Sequence, residues 1–313
     1  MQPLPTTAFV LGAGLGTRLR VLTARLPKPL IPVCNEPLIT HAFGHLQRAG
    51  VSRFVINTHW RAEAYAEHFP DGTWNGCPLV LSHEFPEVLE TAGGLKQAQP
   101  HLSSQGAFWV YNGDIFSDLP LQKAWEAHVA AGNEVTLVLR SQDGPLQVSW
   151  DADSGRILDL GRRLMPERDP EFLFTGIYLV EPAFLERIAP ATKQSVVPVF
   201  VEMIRQGARL GGVVINEGSW WDLGTREQYL AVHRALASEG APWVKGCAEV
   251  ASSAVVRGAS ALGAGVTVGE GATLEDTIVW AGARIAPGAR LRGCVVTAGA
   301  TVEGEHEDAD LSL

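Results

Sequence analysis

The chain has few cysteines, fewer basic than acidic residues and no long apolar run. Its cysteines, Cys34, Cys77, Cys247 and Cys294, have neither zinc-site spacing nor the pattern of a disulfide framework. The 25 Lys and Arg against 34 Asp and Glu give a net charge of −9, which argues against a nucleic-acid-binding protein because such proteins need a basic face. Since there is no signal peptide and no apolar stretch of about 20 residues, we expect a cytoplasmic protein without a membrane partner.

A glycine-rich turn near the start of the chain is the most informative motif. It follows the short apolar run Ala8–Leu11, which predicts a buried strand, and it contains Gly12, Gly14 and Gly16. Glycines let backbone N–H groups approach an anion at positions where a Cβ would clash. The turn therefore predicts a phosphate-binding site at the end of a strand.

Two cations follow the glycine turn. Arg18 comes two residues after the last glycine, and Lys28 lies between Pro27 and Pro29. Prolines restrict the backbone on both sides of Lys28, so we expect this lysine on a stiff segment. A glycine turn with two cations predicts a triphosphate site.

Two other phosphate-binding motifs were considered for the same turn. A P-loop is excluded because no Lys-Ser/Thr pair follows the last glycine. A dinucleotide-binding oxidoreductase is disfavoured because Asn57-Thr58-His59 stands where its acidic ribose ligand would end the second strand.

Four segments in this order resemble the signature of the sugar-1-phosphate nucleotidyltransferases, also called NDP-sugar pyrophosphorylases. They are LGAGLGTRL (residues 11–19), PKPL (27–30), NGD (112–114) and WDLGT (221–225). The resemblance covers about residues 6–236. One departure is Val21, where the family usually has proline, and it affects the stiffness of the loop.

The resemblance implies that a sugar 1-phosphate attacks the α-phosphorus of a nucleoside triphosphate and expels pyrophosphate. Such transfer depends on alignment and on neutralising charge, and needs no protein nucleophile. Arg18 and Lys28 would stabilise the reacting phosphates, and Asp114 and Asp222 would bind Mg²⁺ as the cofactor. The nucleotide phosphates would lie on the turn residues Leu11, Gly12, Ala13, Gly14, Gly16 and Thr17.

The family reads the base in the segment after the third predicted strand. There Glu84, Glu87 or Glu90 could accept the N–H groups of guanine, and the backbone of Thr91, Ala92 and Gly93 could meet the base edge. These carboxylates favour GTP and hence a guanylyltransferase acting on mannose 1-phosphate. However, Leu89-Glu90-Thr91 also resembles uridylyltransferases acting on N-acetylmuramate phosphate, and glucose 1-phosphate is another candidate acceptor. The base and the sugar stay open.

The segment Phe174–Tyr178 matches a family strand that lines the acceptor pocket. We expect the sugar phosphate to be bound by Asn112, Gly113, Thr175, Gly176 and Trp220. The family often has a Glu-Lys-Pro triplet just before this strand, and its lysine holds the sugar phosphate. This chain lacks the triplet, and whether Arg162 or Arg163 replaces the lysine stays open.

Residues 1–239 are predicted to form a Rossmann-like α/β catalytic domain with a mainly parallel sheet. Apolar strands alternate with helical patterns, which is typical of βαβ units. Predicted strands are 8–11, 53–57, 79–83, 108–112, 135–139, 147–150, 156–160, 172–179 and 210–216. Predicted helices are 37–49, 61–69, 91–99, 120–131, 182–188, 197–206 and 225–238.

Residues 246–304 are predicted to form a short left-handed parallel β-helix. Apolar residues recur at steps of six, with two steps of five, at positions 250, 256, 262, 268, 274, 279, 285, 291, 296 and 302. Such a period predicts about three coils, with the tail after Gly304 frayed. No histidine lies between His233 and His306, so this domain is assigned to assembly of a homo-oligomer and not to acyl transfer. An effector and the size of the oligomer cannot be predicted.

A non-catalytic regulatory subunit of the same fold is the main alternative from another functional class. It is disfavoured because Arg18, Lys28, Asp114 and Asp222 are all present.

Overall fold

The computed structural model describes residues 3–14, 16–102, 106–237, 243–244 and 247–313. The chain forms two compact units, Met1–Leu15 with Ile39–Trp221 and Gly16–Leu38 with Asp222–Leu313. The segment Gly240-Ala-Pro242, which the sequence predicts to be the linker between the two domains, lies outside the described residues, and the domain boundaries given above stay predictions.

Strands β1–β14 precede the C-terminal repeat. They are β1 (Thr7–Leu11), β2 (Pro32–Val33), β3 (Glu36–Pro37), β4 (Arg53–Thr58), β5 (Thr73–Trp74), β6 (Cys77–His83), β7 (Phe108–Asn112), β8 (Ile115–Ser117), β9 (Val135–Arg140), β10 (Val148–Asp151), β11 (Arg156–Leu160), β12 (Leu173–Val180), β13 (Leu210–Val214) and β14 (Trp220–Asp222).

The first unit is built on a ten-stranded sheet of order β10-β11-β13-β9-β12-β7-β1-β4-β6-β5. Its central strands are parallel, β1 pairing with β4 and β7, and β4 with β6, as the alternation of strands and helices predicts. β12 runs antiparallel to both of its neighbours, β7 and β9. Buried apolar side chains such as Phe9, Val55, Val110 and Leu137 form the core of this sheet.

The α-helices are α1 (Leu38–Arg48), α2 (Glu63–His68), α3 (Glu90–Gln97), α4 (Gln122–Ala131), α5 (Val196–Arg205) and α6 (Arg226–Ala237). Their ends follow local sequence: Ser195 caps α5 by accepting from Val197 N, and Gly132 ends α4 in the left-handed region. The predicted helix at 182–188 is a 3₁₀-helix, Pro182–Arg187. Within the described ranges, no helix has both the length and the apolar character needed to cross a membrane.

The second unit begins with two 3₁₀-helices, Thr17–Thr23 and Lys28–Leu30, and the β2–β3 hairpin. It continues with α6 and with strands β15 (Trp243–Val244), β16 (Glu249–Val250), β17 (Val255–Arg257), β18 (Ala261–Leu262), β19 (Thr267–Val268), β20 (Thr273–Glu275), β21 (Ile278–Val279), β22 (Arg284–Ile285), β23 (Arg290–Arg292), β24 (Val295–Val296), β25 (Thr301–Val302), β26 (Glu305–Glu307) and β27 (Asp310–Leu311).

Strands β15–β27 form three parallel sheets of five, four and four strands, consistent with a left-handed β-helix. The predicted repeat positions from Leu262 to Val302 point into one buried cluster. Val250 does not, and it is 40% exposed; among the described strands, β16 is at the edge of its sheet.

The prediction of a frayed tail was wrong. Residues after Gly304 form β26 and β27, which pair with β23 and β24. Their acidic side chains are accommodated by basic partners: Glu305 and Glu307 lie against Arg290 and Arg292 on the preceding coil. Ala309 and Leu311 pack against the buried cluster of the repeat, so apolar contacts continue into this last coil.

Candidate functional site

Gly12, directly after β1, is held by side chains from neighbouring elements of the first unit. Its N–H donates to Asn57 Oδ1 at 2.8 Å, and its carbonyl accepts from the Tyr65 hydroxyl at 2.8 Å. A Cβ on Gly12 would lie 2.7 Å from the Asn57 carbonyl oxygen, so only glycine fits here. Asn57, the last residue but one of β4, is in register with Leu11. The first turn of the motif is thus fixed from both sides.

Glu84 connects this turn to the start of α3. The side chain is fully buried; its Oε1 accepts from Asn57 Nδ2 at 2.7 Å and its Oε2 accepts from Leu89 N at 2.6 Å. Both oxygens are therefore engaged by donors of the same unit. This geometry orients Asn57, whereas a contact of Glu84 with a nucleotide base stays a prediction.

The segment Thr91–Gly93 is tied to the residues just before α5. Thr91 Oγ1 accepts from Val196 N at 2.7 Å, and the N–H groups of Ala92 and Gly93 both donate to the Gln194 carbonyl. These bonds fix the first turn of α3. Recognition of a base by this segment stays a prediction.

Asp114 lies just beyond β7 in the same unit. Leu11 and Asn112 are in register on adjacent parallel strands, and Gly113 N donates to the Leu11 carbonyl at 3.0 Å. Burial, and secondly the negative charge of Asp114, raise the pKa of Tyr65 well above its usual range. The Asp114 carboxylate is therefore electrostatically coupled to the hydroxyl that holds Gly12.

The predicted acceptor residues surround an irregularity in β12. Thr175 is buried, and its hydroxyl donates a hydrogen bond to the Val138 carbonyl. Gly176 has a φ of +79° and packs against the side chain of Asn112. The register with β9 shifts between Phe174 and Tyr178. Trp220 is mostly buried and its Nε1 donates to the Thr175 carbonyl at 2.9 Å, which makes it a support of this strand.

The second unit brings together Arg18, Lys28 and Asp222. Lys28 is buried, and its Nζ lies 3.4 Å from Asp222 Oδ1. The guanidinium of Arg18 is packed against the backbone of Gly224: a Cβ on that glycine would lie 2.9 Å from its Nη1. Residues about 200 positions apart in sequence therefore converge. The WDLGT and PKPL motifs meet here.

Gly16 starts the 3₁₀-helix that carries Arg18. It has a φ of +60°, and a Cβ there would lie 3.0 Å from Lys28 Cβ, so the turn, Lys28 and Arg18 are packed as one cluster. Thr17 lies in the same 3₁₀-helix. Leu15 lies outside the described residues.

The donor set limits how a metal could be held. In the described part of the chain, no group of three or more His, Cys, Asp and Glu side chains converges. Asp114 and Asp222 offer single carboxylates. Mg²⁺ commonly uses one or two carboxylates together with phosphate and water oxygens, so a single carboxylate is compatible with magnesium, and metal binding by these residues stays a prediction.

Asn57 and Tyr65 were not singled out from the sequence. Asn57 carried a signal, because it is a polar residue ending an apolar strand next to the glycine turn. Tyr65 lies in a short helix with no motif, and only the fold reveals that its hydroxyl reaches Gly12.

The fold and these side chains define an α/β protein of the kind that holds phosphate-bearing ligands at the carboxyl ends of parallel strands. Residues 7–239 match the nucleotidyl transferase family. The chain belongs to this family.

Curated relatives carry two kinds of name. The chain is 30% identical over 232 residues to mannose-1-phosphate guanyltransferase beta-B of Xenopus laevis, a match that covers 71% of this chain and 62% of the relative. It is 31% identical over 218 residues to N-acetylmuramate alpha-1-phosphate uridylyltransferase of Neisseria meningitidis serogroup B, covering 70% of this chain and 93% of the relative.

Solved structures show the same fold. The inositol-1-phosphate CTP transferase from T. maritima aligns with a TM-score of 0.63 and 18% identity, covering 77% of this chain and 99% of that one. HddC from Yersinia pseudotuberculosis, complexed with GMP-PN, aligns with a TM-score of 0.58 and 21% identity over 72% of this chain and 97% of that one.

Proposed function

We propose that the protein transfers a nucleotidyl group from a nucleoside triphosphate to a sugar 1-phosphate, giving an NDP-sugar and pyrophosphate. The convergence of Arg18, Lys28 and Asp222 carries this proposal, because a reaction between two polyanions requires cations beside a metal-binding carboxylate. Membership of the nucleotidyl transferase family and the names of the relatives support it.

In the proposed reaction an oxygen of the sugar phosphate attacks the α-phosphorus. The bond from the α-phosphorus to the oxygen bridging to the β-phosphorus breaks, and that oxygen leaves with pyrophosphate. The turn at Gly12–Gly14 holds the phosphates, Arg18 stabilises the departing charge, and Lys28 bridges the α-phosphate and the sugar phosphate as a compact point charge.

Asp114 and Asp222 would hold Mg²⁺, which supplies positive charge to the phosphate oxygens when bound. Lys28 Nζ lies 3.4 Å from Asp222 Oδ1, so the carboxylate that would hold Mg²⁺ lies beside the lysine that would contact the phosphates.

We propose GTP and mannose 1-phosphate as the substrates, with a uridylyltransferase acting on N-acetylmuramate 1-phosphate or glucose 1-phosphate as the alternative. The names of the guanyltransferase and uridylyltransferase relatives support one choice each. The engagement of both Glu84 oxygens leaves Glu87 and Glu90 as the carboxylates that a guanine could meet.

We propose Arg163 as the replacement for the lysine that the family uses for the sugar phosphate. Arg162 forms an ion pair with Asp169 at the surface, whereas Arg163 follows the buried Asp159, which accepts its backbone N–H at 3.1 Å. Arg163→Ala should raise the KM for the sugar phosphate about tenfold, and Arg162→Ala should leave it unchanged. Equal effects of the two variants would reject the assignment.

A cytoplasmic location and a homo-oligomer formed through the β-helix complete the proposal. The free cysteines suit a reducing compartment. The exposed Val250 and Val255 on the first coil of the β-helix offer apolar surface for contact with another copy.

The test is a pyrophosphate-release assay with Mg²⁺ and each of four nucleoside triphosphates. Mannose, glucose, N-acetylglucosamine and N-acetylmuramate 1-phosphates serve as acceptors. Release that depends on both substrates is the expected result, with the largest kcat/KM for GTP and mannose 1-phosphate. A UTP preference would select the alternative, and no release with any pair would favour the non-catalytic subunit.

A further inference from the structure

A buried tyrosine of α6 connects the β-helix to the segment that carries Lys28. The Tyr229 hydroxyl donates to the Pro32 carbonyl at 2.5 Å and accepts from Trp280 Nε1, on the β-helix, at 3.1 Å. Tyr229 is fully buried and Trp280 nearly so. The phenol is thus satisfied on both sides, and water does not compete for these bonds.

A second set of bonds holds the next turn of the same segment. Asn35 Nδ2 donates to the Leu262 carbonyl of the β-helix at 2.9 Å, and Cys34 N donates to His233 Nε2 at 3.1 Å. His233 Nδ1 lies 2.8 Å from the Tyr229 carbonyl, so one neutral tautomer, protonated on Nδ1, satisfies both contacts. Cys34 and Asn35 both have positive φ, a turn that needs outside support because neither is glycine.

One face of the β-helix is covered, unlike the other two. In the sheet of β15, β18, β21, β24 and β27, called here the covered face, the outward-facing residues of the three middle strands are Ala261, Ile278 and Val295, at most 2% exposed. The corresponding residues of β22 and β25, Arg284 and Thr301, are exposed. The covered face is therefore buried by other segments of the same unit.

The partners of this face include α6 as well as the hairpin. Arg226, in the first turn of α6, pairs with Asp310 at 2.7 Å and donates to the carbonyls of Gly293 and Ala309. Arg226 lies four residues after Asp222, and Pro32 lies four residues after Lys28. The two chain segments that bring Lys28 and Asp222 together are thus both anchored on the β-helix.

We propose that Tyr229 is a positioning residue: through the Pro32 carbonyl it holds the Lys28 segment on the β-helix, so that Lys28 is set for nucleotidyl transfer. The role of Lys28 in this statement rests on the proposed function. Tyr229 touches neither substrate, and it acts through the backbone between Lys28 and the β2–β3 hairpin. The β-helix then helps to orient Lys28, in addition to any role in assembly.

The decisive variant is Tyr229→Phe, which keeps the ring and removes only the hydroxyl. Tyr111→Phe is the matched control, because the Tyr111 hydroxyl is also fully buried and hydrogen-bonded, 3.0 Å from His45 Nδ1 in the first unit. We expect Tyr229→Phe to lower kcat/KM for the sugar phosphate five- to tenfold and Tyr111→Phe to leave it within twofold.

A double-mutant cycle separates positioning from general damage to the fold. If Tyr229 acts through Lys28, Tyr229→Phe has no further effect on kcat/KM in a Lys28→Ala protein. A loss of the same size in both backgrounds would overturn the inference. The assays are run well below the midpoint of thermal unfolding of each variant, so that every protein measured is folded.

Amide hydrogen exchange tests, independently of activity, whether Tyr229 holds the Lys28 segment on the β-helix. Exchange in residues 31–37 should accelerate in Tyr229→Phe but not in Tyr111→Phe, and unchanged exchange would also overturn the inference. If the wild-type protein transfers no nucleotide, the proposed function fails, while exchange still shows whether Tyr229 holds the segment.

Discussion

At the scale of single residues, Asp222 has two proposed interactions, one with Lys28 and one with a metal ion. In the structure it faces the ammonium of Lys28, and in the proposed reaction it binds a metal together with Asp114. If Asp222 binds a metal, its amide cannot replace the carboxylate, because the amide has no charge for either the lysine or the metal.

Asp222→Asn and Asp114→Asn should each lower kcat by more than about 100-fold, or about 2.7 kcal/mol of transition-state stabilisation. Pyrophosphate release measures the effect, and thermal unfolding shows that each variant is folded. Asp71→Asn, at an exposed turn, is the control and should keep the wild-type rate. Wild-type turnover in either active-site variant would remove that aspartate from the site.

Glu84→Gln should lower the free energy of unfolding by about 1–3 kcal/mol, because one of two buried donors then faces the new NH₂ group. Since Asn57 loses its fixed orientation, the KM for the nucleotide should rise as well. Urea unfolding and steady-state kinetics provide the measurements. Glu87→Gln at an exposed position controls for the loss of charge, and equal stability of the two variants would contradict the buried network.

The buried His45 should make the free energy of unfolding depend on pH. Burial, the largest cause, lowers the pKa of His45 from 6.5 to about 4, and the ring bonds the Tyr111 hydroxyl and the Leu119 carbonyl. The unfolded chain therefore binds more protons than the folded chain between these two values. Stability should be fully present above pH 6.5 and should fall as the pH decreases towards 4, by up to about 3 kcal/mol.

Urea unfolding at several pH values checks this window. His45→Gln removes the titrating group and should give a shallower loss on acidification, although the variant is less stable at neutral pH. The slope will not vanish, because burial lowers the pKa of His128 as well. An unaltered slope in the variant would show that His45 is not the group responsible.

At the scale of elements, the corners of the β-helix depend on backbone with positive φ. Gly258 has a φ of +64°, and a Cβ there would overlap Asp276 Oδ1 on the next coil; Gly265 has a φ of +67° and open space around it. The two positions share their backbone conformation and differ in their surroundings. They therefore separate conformational strain from crowding.

Gly265→Ala should lower the free energy of unfolding by about 1–2 kcal/mol, the strain of an L-residue in the left-handed region. Gly258→Ala should cost about 1–2 kcal/mol more, because Asp276 must leave the Ala259 amide that it accepts from. Chemical unfolding of both variants measures the difference. Equal losses would mean that the corner relaxes without cost.

At the scale of the whole molecule, the first coil of the β-helix is the surface that we propose for assembly. Val250 and Val255 on this coil are 40% and 48% exposed. A charge placed there costs little in a monomer and much in an interface between copies.

Val255→Glu should therefore lower the sedimentation coefficient to that of a monomer at micromolar concentration. Leu146→Glu, at a comparably exposed leucine of the first unit, should leave it unchanged. A monomeric wild-type protein, or an oligomer that Val255→Glu leaves intact, would contradict assembly through this coil.

The sequence alone predicted the α/β unit, the β-helix and the nucleotidyl transferase family. Period-two and period-six apolar patterns are local, and they name the buried face of a strand or of a coil without reference to the rest of the chain. It missed the two coil segments at 305–311, because most of their residues are acidic and only Ala309 and Leu311 continue the apolar packing of the repeat.

Motif residues could be chosen from the sequence, but their surroundings could not. The type and spacing of the glycines and cations predict a phosphate site. The roles of Asn57, Tyr65 and Tyr229 come from hydrogen bonds to backbone atoms up to about 200 residues away in sequence. Spacing carries no information on which strand or helix a hydroxyl will face. Only the tertiary structure decided that Glu84 supports the turn and that the β-helix holds the Lys28 segment, since long-range packing brings those groups within hydrogen-bond distance.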